Sequence, residues 1–285
     1  MLGFRAKGFI GFTEHEVIIL CNEKEEAALL QKFKIPAVFA NHNALLDYNC
    51  YTLIENREKI YDAVLNSRLD RWKRHILAKK IRNIGLITYG FLETKEEENY
   101  LKFLRRSFPH GTFFNYADDG SYRWLSQEEI NDIYAQSSTG LILSEVEGAC
   151  FASCEYLLSG LPVVSTKNFG GRNVYFRPEY SRIVDPSQDA VLAAVNDLKS
   201  RALDPAEIRS SAIEIIKSTR SGFLEAWQMI YDTEGVHKNA SEQWSEKYRN
   251  KMSVTIPDEE VPKYLQSHID GTFSEKSGFS SWSAV

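Results

Sequence analysis

Short apolar runs, each closed by polar or turn residues, recur along the chain and alternate with longer stretches of helical periodicity. The runs are VIILC (17–21), PAVFAN (36–41), YDAVLNS (61–67), NIGLITYG (83–90), GTFFNY (111–116), TGLILSE (139–145) and LPVVST (161–166). They read as strands, and the stretches 23–33, 71–82, 94–107 and 126–137 between them read as helices. That alternation predicts an α/β fold with a largely parallel sheet.

Two helix starts rest on mechanism as well as pattern. Ser126 caps the backbone amides of the 126–137 helix and Glu129 reaches back to complete a capping box. Ser187 caps a further helix over 187–200, whose apolar face is Val191, Ala194, Val195 and Leu198. The rhythm is densest over 59–200, which divides the chain into a small amino-terminal lobe (1–58), a larger α/β domain (59–232) and a polar appendage (233–285). The appendage is expected to be helical near 240–251 and loose at its end.

Composition narrows the partners. The 285 residues are 43% hydrophobic with a net charge of −5, which sustains ordinary cores and gives no electrostatic footprint for nucleic acid. No signal sequence and no membrane-spanning run is legible, and four scattered cysteines make no disulfide framework. The expectation is a cytoplasmic, reduced protein, with peripheral contact to a membrane left open.

Candidate chemistry concentrates in SEVEGACFASCEYLLSGLPVVST, residues 144–166. Ligands of open α/β sheets bind where strand ends lead into helices, which places Glu147 at the mouth of a crevice beside the strand-end Ser144. Gly148 and Ala149 leave amides bare at a helix start, a setting for phosphate. Glu155 follows two turns on, about 12 Å along the axis if the segment is helical throughout. Carboxylates at both ends of such a span suit a ligand with hydroxyls at its ends and negative charge between, such as a nucleoside diphosphate sugar.

The segment resembles the donor-binding motif of retaining glycosyltransferases of the two-Rossmann-domain (GT-B) type, in particular the family 4 group. Glu147 and Glu155 meet its E-x7-E pattern, and SGLPVVST its following strand. The resemblance implies that Glu147 faces the transferred sugar and Glu155 binds the ribose. NSRLDRWKRHILAKKI resembles the same family's diphosphate clamp, which implies that role for Arg68 and Lys73. Fixed cations there stabilise the departing diphosphate, so no metal and no cofactor is expected, and a UDP- or GDP-sugar serves as co-substrate. KNFGGRNVYFRPEYSRIVDP resembles the family's glycine loop, where Gly170 and Gly171 permit close backbone approach. In FANHNALLDYN, the residues His42, Asn43 and Asp47 are candidates for the acceptor side.

Taken together, these readings give a GT-B-like fold with a Rossmann-type donor domain and a reduced amino-terminal lobe, transferring a sugar with retention to a glycan, lipid or protein acceptor. A rival reading is a nucleotide-sugar-binding module that works with a partner chain, as a homo-oligomer or as a sensor. A nucleotide-sugar epimerase stands lowest, because no acid–base residues for it are legible. Cys150 and Cys154 read as small buried residues, His75 and His110 as surface or loop residues, and Trp72 as core packing.

Overall fold

The computed structural model describes residues 17–90, 92, 94–117, 119–247 and 250–252; the expected loose end of the appendage lies outside them. The chain opens with a parallel unit of β1 (Ile19–Cys21), α1 (Lys24–Lys32) and β2 (Ala37–Phe39), whose own small core is Cys21, Ala27 and Ala37. The main domain follows as β3 (Ala63–Arg68), β4 (Ile84–Tyr89), α2 (Lys95–Ser107), β5 (Thr112–Phe113), α3 (Gln127–Ala135) and β6 (Gly140–Ile142). It continues through α4 (Phe151–Leu158), β7 (Val163–Thr166), β8 (Ser181–Val184) and α5 (Gln188–Lys199) to the long α6 (Pro205–Thr233) and α7 (Ala240–Lys247).

All six strands of the main sheet run parallel, in the order β5-β4-β3-β6-β7-β8. Alternation along β3 shows how the apolar runs are used: Ala63 and Leu65 enter the core under α2 and α5, whereas Val64 enters the core under α3, α4 and α6. A strand covered on both faces needs apolar residues at consecutive positions, which is why these runs lack a polar alternate.

The direction of winding reverses between β3 and β6, and a crevice opens there. Their backbone pairing ends at Leu65 and Leu141. The next amide, Asn66 N–H, donates instead to the Tyr156 hydroxyl at 2.7 Å. Tyr156 projects from α4 across Gly140, where a Cβ would lie 2.4 Å from its ring, so the glycine makes room for the side chain that parts the strands.

Three elements differ from expectation. Residues 71–82 form two short 3-10 turns, Arg71–Lys73 and His75–Ala78, separated by Arg74 in the left-handed conformation (φ 53°). Arg74 leaves the helical path because its guanidinium bonds the strand-end carbonyls of Leu143 and Ser144 and the Thr166 hydroxyl. Strand β8 and helix α6 were not anticipated, although Asp204 caps α6 and Pro205 occupies its first turn, a legible start signal.

Helix α6 runs from the main core, where Ile208, Ala212 and Ile216 are buried, to β2 and the 3-10 turn His42–Leu45. Arg209 donates to the carbonyls of Tyr48, Tyr51 and Leu158, and Arg220 to those of Ala44 and Leu46. The expected helix in the appendage is α7, which packs on α6 through Trp244 against Phe223 and Arg220. Among the described residues no helix is long and apolar enough to cross a membrane.

Candidate functional site

A cavity of about 690 Å³ lies in the crevice at the carboxyl ends of β3 and β6. Its walls include Arg68, Lys73, Glu147, Gly148 and Glu155 from the sequence motifs, and His42 from the amino-terminal side. Arg68 and Glu155, 87 positions apart in the chain, are thus brought to one space by the strand ends and the helices that follow them.

Lys73 sits at the end of the first 3-10 turn and points back under the crevice. Its Nζ donates to both carboxylate oxygens of Glu147 at 2.7 Å, with the two side chains only 9% and 13% exposed. Trp72 covers the ammonium from the other side, 4.1 Å from ring centroid to Nζ. Trp72 is 45% exposed and lines the cavity, so the expectation that it packs in the core is wrong: in a 3-10 turn consecutive side chains diverge, and Lys73 takes the buried direction.

Glu147 is held from behind by a buried relay. Ser144 Oγ donates to it at 2.5 Å and in turn accepts from Arg172 Nη1 at 2.5 Å. Arg172 is fully buried beneath the glycine loop, and burial lowers its guanidinium to about 10, still a cation at neutral pH. The loop itself approaches very closely: a Cβ on Gly170 would meet the Glu147 carbonyl oxygen at 1.7 Å, and one on Gly171 the Asn22 carbonyl oxygen at 2.2 Å. The close approach expected of these two glycines is therefore present.

Glu155 lies on α4, 3% exposed. Tyr134 donates to its Oε2 at 3.2 Å and accepts from Asn66 Nδ2 at 2.5 Å. The Asn66 Oδ1, buried on the cavity wall, has no hydrogen-bond partner among the described residues. Lys251, from the turn Asn250–Met252, donates to Glu155 Oε1 at 2.7 Å.

The intervening segment is not helical throughout. Helix α4 begins only at Phe151, after Cys150 in a positive-φ conformation (φ 57°), so the axial spacing expected between Glu147 and Glu155 does not apply. For the same reason Ala149 is buried and absent from the cavity wall, its carbonyl accepting from Asn43 Nδ2 at 2.8 Å. The helix end that faces the cavity carries Cys150, Phe151 and Ala152. Burial raises the Cys150 thiol to about 12, and Glu147 adds to the rise, which leaves it protonated and inert.

Of the three acceptor-side candidates His42 alone lines the cavity, where Tyr51 joins it, and the His42 ring lies 4.6 Å from that of Phe151. Burial lowers its pKa against the opposing pull of Glu147, so the imidazole is neutral at pH 7. Asn43 is buried, and Asp47 accepts from the Asn49 amide while its own amide donates to Asn250. His75, expected at the surface, is completely buried between Ser67 Oγ (3.0 Å) and Tyr100 OH (3.2 Å). Arg68 remains 63% exposed beside Asp70, and His110 is exposed as expected.

Sequence reading missed Asn66, Tyr134, Arg172 and Lys251, and the aromatic pair Tyr122 and Trp124 that lines the far side of the cavity. The aromatic pair stands just before the capped start of α3 and was detectable there; Lys251 carries no local signal. Among the described residues no group of three or more His, Cys, Asp or Glu is arranged to hold a metal ion.

The fold is that of the GT-B glycosyltransferases: a Rossmann-type parallel α/β domain with its cavity at the switch point. Sucrose-phosphate synthase from Thermosynechococcus elongatus superimposes over 77% of this chain with a TM-score of 0.53 and 17% identity. The Anabaena protein Alr3699/HepE in complex with UDP does so over 74% with a TM-score of 0.56 and 15% identity, and TarM over 75% with 0.55 and 16%. The chain spans 58%, 64% and 43% of the length of these three structures. No family model and no curated protein sequence matches it.

Proposed function

We propose that the cavity binds a nucleotide-activated sugar and that the protein transfers the sugar to an acceptor hydroxyl with retention, without a metal. The observation that carries this reading is the convergence of Lys73, Arg68, Glu147 and Glu155 on one switch-point cavity, which also contains a buried acceptor, Asn66 Oδ1, with no partner among the described residues. Glu147 orients the sugar hydroxyls and Glu155 receives the ribose. Tyr122 and Trp124 offer faces on which a base can stack. The UDP held by the Anabaena neighbour supports a nucleotide in this crevice.

In the transfer, the bond between the anomeric carbon and the diphosphate oxygen breaks while the acceptor oxygen bonds to the same carbon. The acceptor proton passes to the leaving phosphate. Lys73 and Arg68 stabilise the charge that gathers on the diphosphate, and a fixed cation beneath a partly dry site is suited to that task. Neutral His42 faces the sugar end as a hydrogen-bonding group. Retention and metal independence rest on the resemblance of the motifs.

A second reading, donor binding in a chain whose acceptor side comes from a partner, is favoured by one observation. Among the described residues the amino-terminal sheet has two strands, and Ile19 and Leu20 on β1 remain exposed. Parallel sheets ordinarily bury both faces.

The test is a panel of UDP, GDP, ADP and their sugar conjugates, read by thermal unfolding and by release of free sugar. A true donor nucleotide stabilises the fold by about 2.7 kcal/mol at a hundredfold excess over its Kd. Sugar release supports the transferase, whereas binding without release supports the second reading. Failure of every nucleotide to stabilise the protein rejects both.

A further inference from the structure

Glu155 borders an open cavity and yet is 3% exposed, with Lys251 lying on it beside the buried Tyr134 and Tyr51. Resting on the donor-site reading above, we propose that Lys251 is a latch. It occupies the ribose-binding carboxylate in the donor-free protein, and the nucleotide's ribose must displace it to bind.

The two oxygens of Glu155 are held unequally. Oε2 accepts from Tyr134, a residue of α3 with no exposure and a second hydrogen bond to Asn66, so that contact is fixed by the core. Oε1 accepts from Lys251, whose turn contains the left-handed backbone of Lys251 itself (φ 62°), a conformation that side chains with a Cβ seldom adopt. The turn is fastened to the rest of the protein where Asn250 Oδ1 accepts from the Asp47 amide at 2.9 Å. Lys251 also stands 5.2 Å over the Phe151 ring, the same ring that His42 packs against, so its stem and charge fill space between the two sides of the crevice.

A ribose presents two hydroxyl donors and needs a carboxylate oxygen that is both free and reachable. The hydrogen bonds to Glu155 from Tyr134 and Tyr51 come from side chains buried in the core, whereas the one from Lys251 comes from a short turn outside the main sheet and its helices. The charge balance follows the same logic. Lys251 neutralises Glu155 while the site is empty, and Lys73 does so for Glu147. A closed population lowers the apparent affinity by the fraction of molecules that are open.

The experiment compares UDP and GDP binding by calorimetry in the full chain, in Lys251→Ala and in Asn250→Ala, together with a double-mutant stability cycle of Lys251→Ala and Glu155→Gln. The latch predicts a favourable coupling in the cycle, about tenfold tighter nucleotide binding in Lys251→Ala, and a smaller gain in Asn250→Ala. Equal affinity in Lys251→Ala overturns the latch alone. Weaker binding also overturns it, because Lys251 is then a ligand of the nucleotide. Absence of coupling shows that the contact does not form, and overturns the latch whatever the affinities. If neither wild type nor the opened Lys251→Ala protein binds any nucleotide while the coupling is present, the nucleotide reading of the site itself is rejected, and the latch with it.

Discussion

Lys73 and Glu147 show what one residue's direction decides. The stretch around Lys73 has helix-like apolar spacing, and a helix there would have left Lys73 beside Arg71 and Arg74 in a basic helix start. Instead, the Arg74 bonds to two strand-end carbonyls break the helix, and the lysine turns inward onto Glu147. Its neighbour His75 supports the same turn from beneath. Burial, assisted by the charge of Lys73, lowers the imidazole from its ordinary 6.5 to about 3. The folded protein therefore refuses a proton that the unfolded chain accepts between those two values, and stability must fall as pH drops from about 6.5 towards 3, with no further contribution from this group above that window. The slope is at most about 1.4 kcal/mol per pH unit. Replacing His75 by Gln should lower stability at neutral pH but flatten the decline between about pH 6 and pH 4, as urea denaturation across that range will show. An equally steep decline in the variant would remove the buried neutral imidazole from the account.

At the scale of elements, the legible features were those with local causes. The apolar runs of β3, β4, β6 and β7 became central strands covered on both faces, and Ser126 and Ser187 stop helices from fraying by accepting from amides inside them. Arg68, Lys73, Glu147, Gly148 and Glu155 all line the cavity, since strand ends in a parallel sheet deliver side chains to one edge. What stayed hidden depends on distant partners: the inward turn of Lys73, the burial of Ala149 under Asn43, and the return of Lys251 to Glu155 are each made by residues tens of positions away. Gly140 illustrates the coupling between element and site. Any Cβ there overlaps the Tyr156 ring, which takes the Asn66 amide and sits next to Glu155 on α4. Gly140→Ala should destabilise the fold by about 1–3 kcal/mol, the usual cost of overpacking, and weaken nucleotide binding as the ring is displaced. A variant with unchanged denaturation midpoint and affinity would show that β3 and β6 are parted by something other than Tyr156.

At the scale of the whole molecule, α6 ties the sheet domain to the amino-terminal unit, and its arginines fix the segment 44–51 by main-chain bonds on which no side-chain identity depends. That segment leads out of the turn carrying His42 and donates to Asn250, so the cavity's two sides and the Lys251 turn are held by one strap. The proposed role of the cavity is to hold a nucleoside diphosphate, with Lys73 as the cation beneath the phosphates. Calorimetric titration of UDP and GDP into the wild-type protein and Lys73→Gln tests it most directly, because glutamine keeps a donor for Glu147 and removes only the charge. The account predicts binding by the wild type and a loss of about 1.5–3 kcal/mol, roughly ten- to hundredfold in Kd, in the folded variant. Equal affinity in the two proteins would contradict it.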